Sequence, residues 1–163
     1  MNYKKFMLLL GLILMVGSFA TAQTYKYVGA KKCKMCHNKP TTGMQYDKWE
    51  KGPHANALKS LKGADATNPK CLKCHSTAAS VDPSLLAGLS PDEGVSCESC
   101  HGPGSIYKSA GIMRNQKLAM SKGLVMPDAK VCKTCHNEES PNFKGFNFEE
   151  YKAKIAHWNP AKK

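Results

Sequence analysis

A chain of 163 residues in which 24 Lys and Arg stand against 12 Asp and Glu carries a net charge of +12. A charge of that sign suggests nucleic acid. Arg114, however, is the lone arginine, and bidentate arginine is the usual reader of phosphates and bases, so no nucleic-acid partner is expected. Its 42% of hydrophobic residues are interrupted often by Lys, Gly, Pro, Ser and Asn, which limits the apolar core of what reads as a single domain.

The chain opens with Met1-Asn2-Tyr3-Lys4-Lys5 and an apolar run from Phe6 to Ala20, shorter than the roughly 20 residues that span a bilayer. Ala20-Thr21-Ala22 has the small residues that an export peptidase accepts, so residues 1–22 are predicted to be a cleaved signal peptide. Removing 22 of 163 residues leaves 141, and losing Lys4 and Lys5 brings +12 to +10. The mature chain, 23–163, is expected to be exported, periplasmic or extracellular, with no membrane span.

From Gln23 to Lys32 the alternation of Tyr25, Tyr27 and Val28 predicts one short strand. Pro40-Thr41-Thr42 opens a predicted helix, with Thr42 and Gln45 spaced as a capping box, that stops at Gly52-Pro53. A second helical piece is predicted from His54 to Lys62, where His54, Leu58 and Leu61 share one face. Residues 63–70 and 76–94 read mostly as loop. Between Ile106 and Met126, Met113 and Met120 lie seven apart, as on one helix face. Asn147 is the predicted cap of a last helix that presents Phe148, Tyr151, Ile155 and Trp158 on one side. His157 falls off that side if the helix is regular to its end.

All eight cysteines fall in four Cys-x-x-Cys-His pentapeptides: Cys33-Cys36-His37, Cys71-Cys74-His75, Cys97-Cys100-His101 and Cys132-Cys135-His136. This is the pattern of covalent haem c attachment. Two thiols three positions apart reach the vinyl groups on one porphyrin edge, and the adjacent histidine offers an imidazole to the iron. A zinc module places its histidines away from the Cys pair, and a dithiol oxidoreductase needs one pair only. The expected cofactors are four haem c groups, with His37, His75, His101 and His136 as proximal iron ligands. Roughly 35 residues per haem means that the porphyrins supply much of the core. Their propionates offset much of the lysine charge. His54, on an apolar face in a haem-dense chain, is predicted to be a distal ligand. In Gly94-Val95-Ser96-Cys97-Glu98-Ser99-Cys100-His101-Gly102-Pro103-Gly104 the bare glycines are expected to let another flat ring pack against the turn.

With these residues in view, the chain resembles the cytochrome c-554 family of tetrahaem cytochromes. The likeness rests on Cys33-Lys34-Met35-Cys36-His37, on Tyr46, Trp49 and Pro53-His54-Ala55-Asn56-Ala57, on the block from Gly94 to Gly104 with Tyr107, and on Cys132-Lys133-Thr134-Cys135-His136-Asn137 through Ile155-Ala156-His157. The resemblance implies a mainly α fold with long loops and little or no β, wrapped around stacked haem pairs that pass electrons. It also matches His54 and His157 to distal ligands, which raises His157 above its helix reading. Relatives carry a further ligating histidine after the Gly-Pro-Gly turn; here Ser105 to Arg114 holds none.

The leading functional reading is an exported carrier of electrons between redox partners, docking through its basic surface to an acidic protein. One rival is an enzyme that reduces nitric oxide or hydroxylamine at an open iron. The other is a subunit whose haem chain continues into copies of itself. The chain has six histidines, four of them proximal, so His54 and His157 supply at most two His-His haems. The remaining distal positions fall to Met113, with Met120 and Met126 behind it, to another side chain, to water or to nothing. Intact mass of the exported protein should equal the chain from Gln23 plus four covalently bound haems. Fewer haems, or a retained leader, would refute this arithmetic.

Overall fold

The computed structural model describes residues 24–158 and Pro160; the signal peptide expected over 1–22 lies outside them. The fold is mainly helical. In chain order come α1 (Ala30–His37), α2 (Gln45–Glu50), α3 (Pro69–His75), α4 (Thr77–Ser80), α5 (Cys97–His101), α6 (Ala110–Met113), α7 (Gln116–Ser121), α8 (Ala129–Lys133) and α9 (Phe148–Ile155). Short 3-10 turns at Pro40–Thr42, Ala57–Ser60, Gly63–Thr67, Pro83–Leu85 and Pro91–Glu93 connect them. The longest helices, α1 and α9, have eight residues, and isolated helices shorter than about 12 residues are marginal in water. Tertiary contacts must therefore hold them. No helix among the described residues is long and apolar enough to cross a membrane.

Polar side chains start several elements. Asn68 accepts from Lys70 N at 3.0 Å, Asp128 from Lys130 N at 2.9 Å and Asn147 from Glu149 N at 3.1 Å. The last is the cap expected for the C-terminal helix. The expected capping box at Thr42 does not form. Its hydroxyl donates to the carbonyls of Cys36 and Lys39, and the helix starts only after Gly43 and Met44, both at positive φ. The helix expected from His54 shrinks to the turn at Ala57–Ser60 because the His54 carbonyl accepts from Val95 N at 2.9 Å and Ala57 N at 3.1 Å. The expected N-terminal strand is one parallel bridge, Tyr27 to Leu86.

The buried apolar residues among those described are Val28, Ala30, Tyr46, Leu89, Tyr107 and Ala119. The largest fully buried side chains are polar: Glu98, Thr77 and Ser96. They converge on the segment from Gly94 to Gly104. Ser96 N donates to Thr77 Oγ1 at 2.7 Å, Trp49 Nε1 to the Val95 carbonyl at 2.9 Å, and the Tyr107 hydroxyl to the Gly102 carbonyl at 2.9 Å. The space around its glycines is filled by the chain itself. A Cβ on Gly102 would lie 2.6 Å from the Gly123 carbonyl oxygen, and one on Gly104 would lie 3.0 Å from a Glu98 oxygen. These glycines thus admit close approach of backbone and carboxylate.

Gly94 has φ +66, and a Cβ there would stand 2.7 and 2.8 Å from the Ala55 and His54 carbonyl oxygens. Gly94→Ala should therefore destabilise the haem-loaded protein by about 2 kcal/mol or more in urea unfolding, from backbone strain plus overlap with main chain that cannot rotate away.

Candidate haem sites

Three of the four Cys-x-x-Cys-His segments lie on helices that end at their histidine: α1 at His37, α3 at His75 and α5 at His101. In the fourth, α8 ends at Lys133, and Cys135 N and His136 N continue the turn by donating to the Cys132 carbonyl at 3.2 and 3.0 Å. Residues three apart on a helix share a face, so each cysteine pair looks to one side. All eight cysteines are free thiols, and all but the exposed Cys36 are half-buried.

The thiols meet across segments. Cys33 and Cys97 share a hydrogen bond that raises the Cys97 pKa and lowers that of Cys33. Cys74 is pushed up to about 11 by burial and by the Cys135 thiol, to which it is hydrogen-bonded. Burial pushes Cys100 up to about 11 too, with Cys132 and Cys135 beside it. Segments one and three, two and four, and three and four are therefore neighbours at their sulfurs. A redox dithiol depends on a depressed thiol pKa; Cys74, Cys97, Cys100 and Cys132 all move the other way.

The histidines fall into two facing couples. The rings of His54 and His136 have centroids 6.1 Å apart, and those of His101 and His157 lie 5.9 Å apart. A metal ion between two imidazoles, about 2.0–2.1 Å from each nitrogen, sets their centroids about 6 Å apart. Both histidines singled out as distal thus stand opposite one from a pentapeptide. No such ring contact joins His37 or His75 to another histidine among the described residues.

The helical-wheel objection to His157 falls away because α9 stops at Ile155 and Ala156 is extended. His157 is exposed as a residue, yet its ring is held below the ordinary imidazole range by desolvation and by Lys48 and His37. Burial does the same for His54, His101 and His136, so these rings are neutral, as metal ligands must be. His101 Nδ1 faces the Val125 carbonyl at 3.1 Å, His75 Nδ1 the Ala57 carbonyl at 2.8 Å, and His157 Nδ1 the Ile155 carbonyl at 3.3 Å. A carbonyl only accepts, so Nδ1 carries the proton and Nε2 keeps its lone pair free.

Met113 closes α6 and is half-buried; Met120 and Met126 are exposed. Phe146, which the sequence reading passed over, stacks on His136 at 5.2 Å. Glu98 was missed as well, although an acid inside a cysteine pentapeptide of a basic chain was a visible signal.

The family described as cytochrome c554 and c-prime matches residues 32–102, which take in the first three segments. The curated cytochrome c-554 of Nitrosomonas europaea is 29% identical over 156 residues, covering 73% of this chain and 61% of that protein. The solved structure of reduced cytochrome c554 from the same organism superposes with a TM-score of 0.53 at 25% identity, over 82% of this chain and 79% of the other. All three comparisons agree with the resemblance to the cytochrome c-554 family. They support a c-type cytochrome, and that family implies covalently bound haem c. The chain spans 61% of the length of that curated relative.

The residues present fit that cofactor. Paired thiols share a face next to a histidine, and at His75 and His101 the Nδ1 contact with a carbonyl leaves Nε2 free. A cleft of about 400 Å³ is lined by Cys74 and Cys135 with Tyr27, Thr77, Val95 and Glu98, and another of about 200 Å³ by Cys135, His136, Phe143 and Tyr151.

Proposed function

We propose that the chain is an exported electron carrier, one domain from Gln23 onward after loss of the leader 1–22, holding four covalently attached haems. Cys33 and Cys36, Cys71 and Cys74, Cys97 and Cys100, and Cys132 and Cys135 form the thioethers. His37, His75, His101 and His136 are the proximal ligands, with His54 opposite His136 and His157 opposite His101. Haem c supplies one-electron redox chemistry at iron. The observation that supports the reading is the proximity of thiols across segments, Cys33 to Cys97 and Cys74 to Cys135, with Cys100 within electrostatic reach of Cys132. Porphyrins tethered at these cysteines would lie close, in a series running first, third, fourth, second. The chain's own work is to fix these separations, hold the ligand tautomers and keep water from the junctions. Its lysine-rich surface suits docking to acidic redox proteins at either end of the series.

A specific observation sustains the second reading. Among the described residues His37 and His75 make no ring contact with another histidine, so the irons of the first and second segments would be the places for a thioether, water or a small nitrogen substrate. Met113 is the methionine held for the first of these. Assembly with further copies would extend the same series and would show as a larger species in solution.

Electron paramagnetic resonance of the oxidised protein and carbon monoxide titration of the reduced protein test the ligand count. Two low-spin His-His signals are expected, and carbon monoxide should bind at least one other haem. Four His-His signals from a monomer would overturn the count, and no carbon monoxide binding would sink the open-site reading. Reduced carrier should leave nitric oxide and hydroxylamine unconsumed; multiple turnovers would favour the enzyme.

His54→Met should raise the potential of the fourth-segment haem alone, because a thioether favours ferrous iron more than imidazole does. His157→Met should do the same for the third. A redox titration and low-spin spectrum unchanged by His54→Met would make His54 a buried histidine and nothing more.

A further inference from the structure

Glu98 is 1% exposed, the most deeply buried charged side chain among the described residues. Its carboxylate accepts from Val28 N at 3.0 Å on both oxygens, from Gly29 N at 2.8 Å and from Gly104 N at 2.6 Å. Every one of these groups is an uncharged donor. Nearby Glu93 accepts from Ala30 N at 2.8 Å and from the Ser96 hydroxyl at 3.0 Å. The ion pairs among the described residues are Lys51–Asp47, Lys73–Glu139, Lys152–Glu149 and Lys154–Glu150, and neither Glu93 nor Glu98 belongs to one. A chain of charge +12 has thus placed one buried and one half-buried carboxylate side by side, neither of them in an ion pair among the described residues.

Their position is the junction of the first and third segments. Glu98 lies between Cys97 and Cys100, and both carboxylates act electrostatically on the Cys33 thiol. Tyr27 and Tyr107, raised chiefly by burial, are raised further by Glu98. At the Cys74–Cys135 junction, whose cleft Glu98 also lines, Lys73 and Glu139 form a pair whose charges cancel, and Glu93 is not among the lining residues. Ligation does not distinguish the junctions. Each joins a segment with a facing histidine, the third or the fourth, to one without, the first or the second.

We propose that Glu98, seconded by Glu93, lowers the reduction potentials of the haems attached at Cys33 and Cys36 and at Cys97 and Cys100 more than those of the other two, so that electrons rest preferentially on the haems of the second and fourth segments. This rests on the electron-carrier reading above. Reduction adds one electron to an iron and removes one unit of positive charge, with no bond made or broken. A fixed negative charge nearby opposes that addition, and burial weakens the screening that would hide it. Hydrogen bonds from amides spread the charge but do not neutralise it.

The test is a spectroelectrochemical titration of the four-haem protein and its variants. E98Q removes the charge at nearly constant volume. It should raise two of the four midpoints by 59 mV or more, a tenfold change in the ferric-to-ferrous ratio at fixed applied potential. One of the two must be the couple that His157→Met displaces, and neither may be the couple that His54→Met displaces. E98D, one methylene shorter but still charged, should keep both midpoints near wild type even where thermal stability falls. E93Q should raise the same two couples by less, and it decides the matter if E98Q does not assemble. The proposal is overturned if all four couples move together, if E98D moves them as far as E98Q, or if E98Q or E93Q changes none. A wild-type protein without four reversible one-electron couples would instead refute the carrier reading itself.

Discussion

The Glu98 carboxylate takes amide protons from Val28, Gly29 and Gly104, and much of the fold depends on that grip. It ties the N-terminal lead-in to the third cysteine segment and closes the turn behind His101. Glu93 repeats the device at Ala30 N, where α1 begins. An amide N–H buried without an acceptor costs about 1–3 kcal/mol, so each of these bonds also removes a penalty that short helices and loops would otherwise leave. The Thr77 hydroxyl and Trp49 ring bring α4 and α2 onto the same segment. The result is a polar centre in a chain whose buried apolar residues are few.

Much of the site was legible in the residues because its chemistry is local. Paired thiols and a neighbouring histidine need only one helical turn, so spacing alone identifies them. Asn147 was legible for the same reason: an N-cap acts on amides two and three positions away. What failed was whatever depended on distant partners. Thr42 and Gln45 have capping-box spacing, but the Thr42 hydroxyl finds the Cys36 and Lys39 carbonyls first. His54 was placed on a helix face that does not exist, because Val95, 41 positions on, takes its carbonyl. His54 is half-buried all the same, with its ring 6.1 Å from that of His136, although the helix face given as the reason is absent.

His157 shows the converse. A helical wheel extended through Trp158 turned it away from the apolar side, yet the extended Ala156 that follows Ile155 brings it to His101. Pro160 marks an end to the helix in the sequence, but periodicity cannot see that α9 already stops at Ile155. The family likeness carried that information, because it compares positions and not faces. The resemblance also marked the histidine missing after the Gly-Pro-Gly turn, where Ser105 to Arg114 holds none.

The same economy explains why an electron-carrying protein would be built from such short elements. Helices of four to eight residues have little stability of their own, and the polar centre alone cannot replace an apolar core. Two covalent bonds per cofactor would compensate, since each pair of thioethers fixes one helix turn to a rigid plane and the plane supplies the missing apolar surface. The cofactors would then be the layers against which the chain packs, and loss of one would unfold its neighbourhood. A long-helix bundle would set such planes further apart. Short helices carrying the cysteines bring thiols of different segments near one another, so close spacing of irons would follow from the same architecture that would make the loaded fold stable.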